Sequence, residues 1–153
     1  MSNKIIEISG IAHIALNVSE IEKSKKFYKE LLPSIGLKLV HESEKSCYHI
    51  GGKTGILIQQ IPENNNYIEF SQKNIGLHHL CFRARTKEDV NKIAKKLINI
   101  KANIIRGPMY GHWVPGYYYI VFEDPDRIRL EINYVPKKGV FDSDITFNPG
   151  EDY

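Results

Sequence analysis

An internal repeat constrains the fold of this chain more than any other feature. The run Ile11–Val18 (IAHIALNV) aligns with the run Leu77–Ala84 (LHHLCFRA), which places His13 over His79, 66 positions further on. After each run come apolar residues at helical spacing and then three shorter extended runs. The sequence therefore predicts an α+β fold built from two tandem β-α-β-β-β modules.

Polar residues mark the predicted start of the helix in each copy. Ser19, with Glu22 three residues on, has the form of a capping box, and Thr86 with Asp89 is a weaker version of the same signal. Gly36 ends the first helical region, and the second ends at Ala102-Asn103. The predicted strands that follow the helices span 37–42, 46–51 and 55–61 in the first copy and 103–106, 117–123 and 128–135 in the second.

The whole chain has 153 residues, a length that suits a single domain containing both modules. We place module 1 at about residues 8–62 and module 2 at about 76–136. The segment 63–75 between them is polar and rich in Asn, as is typical of a linker. The segment 137–153 has no periodic pattern, so we expect a surface arm there.

Charge and composition narrow the class of protein. The net charge of +3 is too small to indicate a nucleic-acid partner, and the lysines of 87–101 lie on a helix face opposite the apolar one. No segment approaches the roughly 20 apolar residues of a membrane span, and the N-terminus lacks the apolar core of a signal peptide. Cys47 and Cys81 have no metal-type spacing and are interpreted as free thiols. These features predict a cytoplasmic protein without a membrane or nucleic-acid partner.

Strand alternation predicts which histidines share a face. Side chains alternate across a strand, so the apolar set that includes Leu16 should pack under the helix and His13 should lie on the opposite face. By the same parity His79 joins the face of His13, and His78 falls on the helix side as a rim or packing residue. Two neutral imidazoles suit a divalent metal. In the last predicted strand Glu131 is a candidate third ligand, and the alternative is an exposed Glu on an edge strand.

Three segments together resemble the vicinal oxygen chelate superfamily, the group of glyoxalase I, methylmalonyl-CoA epimerase, extradiol dioxygenases, fosfomycin-resistance enzymes and bleomycin-binding proteins. They are IAHIALNVSEIEKSKKFYKELL, GLHHLCFRA and YYYIVFEDPDRIRLEINYVP. The resemblance implies a curved eight-stranded mixed sheet around a metal cavity. It also implies His13, His79 and Glu131 as ligands of a divalent ion (Zn, Ni, Co, Mn or Fe(II)). A fourth family position falls on Gln59 or Gln60, and parity favours Gln59.

The resemblance leaves the reaction open. The first reading is a glyoxalase-like lyase or isomerase that acts on a small oxygenated substrate, with Glu131 as both ligand and base. An epimerase would need another base, and His49 is the nearest substitute, although a surface histidine is the simpler expectation there. The other readings are an extradiol-type Fe(II) dioxygenase and a non-catalytic drug- or metabolite-binding protein of the resistance type. The family also implies a small-molecule partner and a homodimer.

The dioxygenase reading depends on a partial match to the extradiol signature. His112 stands at a permitted distance as a second candidate catalytic residue, and Asp124-Pro125 forms the expected turn before Glu131. Two elements depart from it: Val121 stands at the Tyr position, and Arg127 replaces a Gly that would allow positive φ. A phenol can come instead from Tyr117, Tyr118 or Tyr119. The aromatic segment 107–119 is predicted to form a cavity wall or lid, or to pack a hairpin or a dimer contact.

Overall fold

The computed structural model describes residues 6–63 and 68–137, and it confirms an α+β chain with two modules. The described residues form two compact units, one within residues 1–65 and the other within residues 66–153. The part of the predicted linker at 64–67 and the predicted tail beyond 137 lie outside the described residues. None of the helices in the described part is long and apolar enough to cross a membrane. The elements are β1 (His13–Val18), α1 (Ile21–Ser34), β2 (Lys38–Ser43), β3 (Ser46–Gly51), β4 (Thr54–Gln60), β5 (Leu80–Arg83), α2 (Lys87–Asn99), β6 (Asn103–Tyr110), β7 (Tyr118–Glu123) and β8 (Arg129–Tyr134).

The first unit is a four-stranded mixed sheet with α1 against one face. The strand order is β1-β4-β3-β2, with β1 parallel to β4 and the other pairs antiparallel. Leu16 and Val18 of β1 are buried as parity predicts, together with Ile56 and Ile58 of the neighbouring strand. This face forms the core of the unit because it packs against the apolar side of α1, whose buried residues include Phe27, Tyr28, Leu31 and Leu32.

The predicted start of α1 at Ser19 is wrong by one residue, and the predicted capping interaction is also wrong. The N-cap is Glu20, and its side chain makes no capping hydrogen bond. Instead the backbone N–H of Ile21 donates to Oε1 of Gln60 (2.8 Å), and Nε2 of Gln60 donates to the carbonyl of Ser19 (2.7 Å). A side chain from the end of β4 thus satisfies one of the donors that a helix start leaves unpaired. Gln60 is thereby committed to the helix start.

The second unit repeats the design in the order β5-β8-β7-β6, with β5 parallel to β8. Its helix α2 begins as predicted, because Oγ1 of Thr86 accepts from the backbone N–H of Asp89 at 3.1 Å. This is the hydrogen bond of an ordinary threonine N-cap. The helix packs on the sheet through its apolar stripe, Val90, Ile93, Ala94 and Leu97, whereas Ile98, also predicted to belong to it, is 64% exposed.

Strand bounds in the second unit differ most from the prediction at β6 and β5, whereas those of β7 and β8 differ by one residue at one or both ends. β6 continues past Arg106 through Gly107-Pro108 to Tyr110, and its register against β7 shifts there. An edge strand tolerates a proline because one side of it needs no partner, and a bulge absorbs the irregularity. β5 starts only at Leu80, so His78 and His79 precede the strand.

His49 is buried, which makes the expectation of a surface histidine wrong. It is 0% exposed, and it shares its face of β3 with the buried Cys47 because the two are two residues apart in a strand. That face carries the core, since His49 pairs with Ile56, whereas its neighbour Tyr48 lies on the face of His13. Neither ring nitrogen of His49 has a hydrogen-bond partner among residues 6–63 and 68–137.

We expect His49 to make folding stability depend on pH. Burial and then the nearby Lys29 lower the pKa of His49 in the folded protein. The unfolded chain therefore binds a proton more readily, so the contribution of neutral His49 to stability is complete above about pH 6.5 and is lost as the pH falls. His49→Leu should flatten the dependence of the unfolding free energy on pH between 5 and 7, by at most about 1.4 kcal/mol per pH unit. Urea unfolding at several pH values measures this.

The exposed His41 of β2 provides the control for this prediction. His41→Leu removes an imidazole from an exposed position of the same sheet, so an equal flattening in both variants would reflect the loss of any histidine and not the burial of His49. Equal slopes for wild type and His49→Leu would contradict the assignment.

Candidate metal centre

Glu131 lies in the middle of the second sheet. Its strand, β8, is flanked by β5 and β7, and the side chain is 0% exposed, so the alternative of an exposed Glu on an edge strand is wrong. Burial raises the pKa of the carboxyl group, and this rise is partly offset by Tyr117, which donates a hydrogen bond to it, and by the thiol of Cys81 on the neighbouring strand. A buried carboxyl group at this position needs a compensating partner.

His79 supplies one partner for that carboxyl group. Its Nε2 lies 3.4 Å from Oε2 of Glu131, and Oε2 has no hydrogen bond from any of the described residues. Burial lowers the pKa of His79, as do the nearby His78 and Arg129. The neutral imidazole that results is the form that binds a metal. A buried, unsatisfied carboxylate oxygen facing an imidazole nitrogen fits two ligands of a divalent ion.

The expectation that His78 and His79 point to opposite sides of the sheet is wrong. Their Nδ1 atoms are 2.8 Å apart, and their rings meet edge to face with centroids 5.1 Å apart. Strand alternation does not apply to them, because β5 begins only at Leu80. One Nδ1 must donate to the other. Because Nδ1 of His79 is used in this contact, its other ring nitrogen, Nε2, is the one that faces Glu131. A hydrogen bond at the second nitrogen is what orients a metal-binding histidine in most known sites.

The phenol beside Glu131 comes from Tyr117, the residue just before β7. Its Oη donates to Oε1 of Glu131 at 2.5 Å and accepts from Nδ2 of Asn133 at 2.7 Å. The extradiol signature places its tyrosine at the position of Val121, so the pattern alone did not single out Tyr117. The available signal was the aromatic segment itself, whose members Trp113, Tyr117 and Tyr119 pack in one buried cluster with Val114, Val121 and Val135.

His112 is exposed and stacks on Trp113, with ring centroids 5.0 Å apart and planes at 29°. It therefore lies at the edge of the aromatic cluster that contains Tyr117. Its predicted role as a second catalytic residue stays a prediction.

The turn before β8 forms despite the missing glycine. Arg127 adopts φ +65°, the conformation for which the signature has Gly. The turn is held by Oδ1 of Asp124, which accepts from the backbone N–H groups of Asp126 (2.9 Å) and Ile128 (2.8 Å). These hydrogen bonds offset a backbone cost of roughly 1–2 kcal/mol for a non-glycine residue in the left-handed region. Arg127 is therefore compatible with the turn that the signature requires.

In the first unit, His13 and Gln59 share one face of the sheet. His13 opens β1, is exposed and pairs with Gly55 of β4. Gln59 pairs with Asn17, and its Nε2 donates to Oδ1 of Asn17 at 2.7 Å. Gln60 is engaged at the start of α1, which supports Gln59 as the fourth candidate ligand.

The structure thus describes the predicted ligands as two pairs, each within its own unit. His79 and Glu131 face each other in the second unit, and His13 and Gln59 lie on the exposed face of the first sheet. Across the described ranges, no group of three or more His, Cys, Asp or Glu side chains has the spacing of a metal site. The assignment of His13, His79, Glu131 and Gln59 to one centre stays a prediction.

The family model for the glyoxalase, bleomycin resistance protein and dioxygenase superfamily matches residues 10–132. The chain belongs to this family, as the repeated histidine strands and the last strand with Glu131 predict.

Relatives and solved structures agree with this membership. The Bacillus subtilis (strain 168) protein YqjT is 30% identical over 123 residues, which are 78% of this chain and 94% of that protein. The metallothiol transferase FosB of Staphylococcus saprophyticus is 30% identical over 129 residues, covering 82% of this chain and 77% of that protein. The crystal structure of a candidate glyoxalase from Bacillus halodurans superposes with a TM-score of 0.75 at 29% identity, covering 83% and 96% of the two chains.

Proposed function

We propose that this protein is a metal-dependent, glyoxalase-like lyase or isomerase that acts on a small molecule with neighbouring oxygen atoms. The observation that carries the proposal is the pair formed by Nε2 of His79 and Oε2 of the fully buried Glu131, 3.4 Å apart, in a member of this family. The similarity to the Bacillus halodurans structure supports the glyoxalase class.

The proposed centre is mononuclear, with His13, His79 and Glu131 as ligands and Gln59 as a fourth. A divalent ion bound there would supply Lewis acidity towards the substrate oxygens. Imidazole and carboxylate ligands are compatible with Zn, Ni, Co, Mn or Fe(II), so the ligand set does not select the metal.

The protein groups around Glu131 suit proton transfer at a carbon next to a carbonyl. Burial raises the pKa of Glu131, and general bases work best when their pKa lies near the working pH. Tyr117 holds Oε1, so Oε2 is the oxygen that would contact the metal and, whenever it is not bound there, the one that could accept a proton. Two members of the buried aromatic cluster lie beside this carboxyl group: Tyr117 donates to it, and Val121 pairs with Glu131 across the strands. The fully buried carboxyl group is therefore shielded from water.

An extradiol-type Fe(II) dioxygenase is the second candidate. Two observations support this candidate more than the partial match in sequence did. Arg127 adopts the positive φ of the signature's glycine, and Tyr117 donates a phenolic hydrogen bond to Glu131. Two histidines and a carboxylate are also the ligand set of non-haem iron oxygenases.

We also propose that the protein forms a homodimer, which the family resemblance implies.

Metal analysis of protein purified without added metal tests the proposal. We expect a bound divalent transition metal, lost on chelation and regained with activity on reconstitution. Nickel, cobalt or zinc with turnover of a hemithioacetal supports the lyase, and iron with catechol-dependent oxygen uptake supports the dioxygenase. Metal-dependent addition of a thiol would instead align the chain with FosB, its metallothiol transferase relative.

The same measurements identify a binding protein. Protein that holds no metal and gains no activity from any of the five metals would contradict both enzyme proposals. Tight binding of small molecules by such metal-free protein would leave the sequestering role.

A further inference from the structure

Three side chains of the second unit form a hydrogen-bonded line that ends on Glu131. Nδ2 of Asn133 donates to Oη of Tyr117 at 2.7 Å, and Oη donates to Oε1 of Glu131 at 2.5 Å. Glu131 is fully buried and Tyr117 is 8% exposed. Asn133 follows Glu131 by two positions in β8, which puts both on one face of the sheet.

The directions of these hydrogen bonds follow from the donor inventory. An ionised carboxylate only accepts, so the single phenolic hydrogen must go to Oε1. Oη then has lone pairs but no hydrogen left for Asn133, and Asn133 must donate through its amide nitrogen. The line therefore runs one way, from Asn133 through Tyr117 to Glu131.

The two oxygens of Glu131 are thereby made unequal. Oε1 holds the hydrogen bond from Tyr117, whereas Oε2 has no hydrogen bond from the described residues and lies 3.4 Å from Nε2 of His79. We propose that Tyr117 and Asn133 are positioning residues that hold Oε1, so that Glu131 presents Oε2 alone to a metal. This inference rests on the proposed metal centre. It adds that the Glu131 ligand would bind through one carboxylate oxygen and not through both.

The adjacent tyrosines do not share this role. Tyr118 donates to Oδ1 of Asn91 on α2 at 2.9 Å, on the helix side of the sheet. Tyr119 is buried in the same aromatic cluster as Tyr117, and its ring centroid lies 5.7 Å from that of Tyr117. Tyr119→Phe therefore removes a phenol of similar burial from the same cluster and is the matched control for Tyr117→Phe.

The test compares Co²⁺ binding by wild type, Tyr117→Phe and Tyr119→Phe, with calorimetry for affinity and X-ray absorption for the number of ligand atoms. In Tyr117→Phe we expect Oε1 to be freed, which adds one oxygen neighbour to the cobalt. We expect the affinity to fall by about 10- to 100-fold, as is usual when a hydrogen bond to a metal ligand is removed. Tyr119→Phe should match wild type in both measurements.

The outcomes separate this inference from the proposed function. Wild type that binds Co²⁺ together with a Tyr117→Phe variant identical to Tyr119→Phe overturns the positioning role and leaves the metal centre standing. Wild type that binds no Co²⁺ overturns both. If Tyr117→Phe does not fold by circular dichroism, Asn133→Ala replaces it. A smaller loss of affinity in Asn133→Ala supports the line, and unchanged affinity overturns it.

Discussion

Glu131→Gln is expected to abolish divalent-metal binding, with affinity reduced at least about 100-fold, which exceeds the usual loss from a residue outside the ligand set. The amide keeps the shape of the carboxylate and can still accept from Tyr117, but it lacks the charge that a divalent ion requires. Calorimetric titration of chelator-treated protein with Co²⁺ or Zn²⁺ measures the loss.

The metal-free form of this variant should be at least as stable as the metal-free wild type. Oε2 of Glu131 is buried without a hydrogen bond from the described residues, so the wild-type carboxylate carries a desolvation cost that a neutral amide reduces. Glu123→Gln is the control, because Glu123 lies on the neighbouring strand and pairs with Arg129 at 3.8 Å. It should bind metal as wild type does. Full metal affinity in Glu131→Gln would contradict the assignment of this residue as a ligand.

His79→Ala is expected to lose metal binding to a similar extent, whereas His78→Ala should still bind metal, with a smaller loss of affinity. Nε2 of His79 faces the carboxylate, and Nδ1 of His78 contacts Nδ1 on the opposite side of that ring. Loss of His78 should cost about 10- to 100-fold in affinity, the size typical of a residue that orients a ligand. Metal content after purification and calorimetric titration distinguish the two variants.

A reversed order, with His78→Ala losing metal and His79→Ala keeping it, would refute the choice of His79. His41→Ala serves as the control for removal of an imidazole, since His41 is exposed on β2. It should leave the metal affinity unchanged.

Periodicity predicted the elements better than their ends. The apolar face of β1 and the cap at Thr86 follow from residues adjacent in sequence, and the structure confirms both. The start of α1 was wrong because its capping group, Gln60, comes from 39 positions away. The end of β6 was wrong because an edge position accommodates Gly107-Pro108, and edge positions are set by strand order.

The alternation of side chains along a strand also predicted positions in the site correctly only for residues that lie inside a strand. It placed Glu131 opposite the helix face correctly, because β8 is regular there. It failed for His78, which precedes β5. The separate expectation of a surface position for His49 was wrong because its burial depends on α1 lying over β3. The sequence left the phenol open among Tyr117, Tyr118 and Tyr119. A loop residue such as Tyr117 has no fixed direction relative to the sheet, and only packing against Trp113 and Tyr119 orients it.

The sequence by itself determined the class of fold and the family. The pattern of strand, helix and strands depends on residues close together in sequence, and it occurs twice along the chain. The sequence also determined which residue types are available to bind a metal. Only the tertiary structure decided that Glu131 is buried between two strands, that its Oε2 faces His79 and that Tyr117 holds its Oε1. These contacts join residues up to 52 positions apart, His79 and Glu131, and strand pairing brings such residues together without leaving a periodic signal in the sequence.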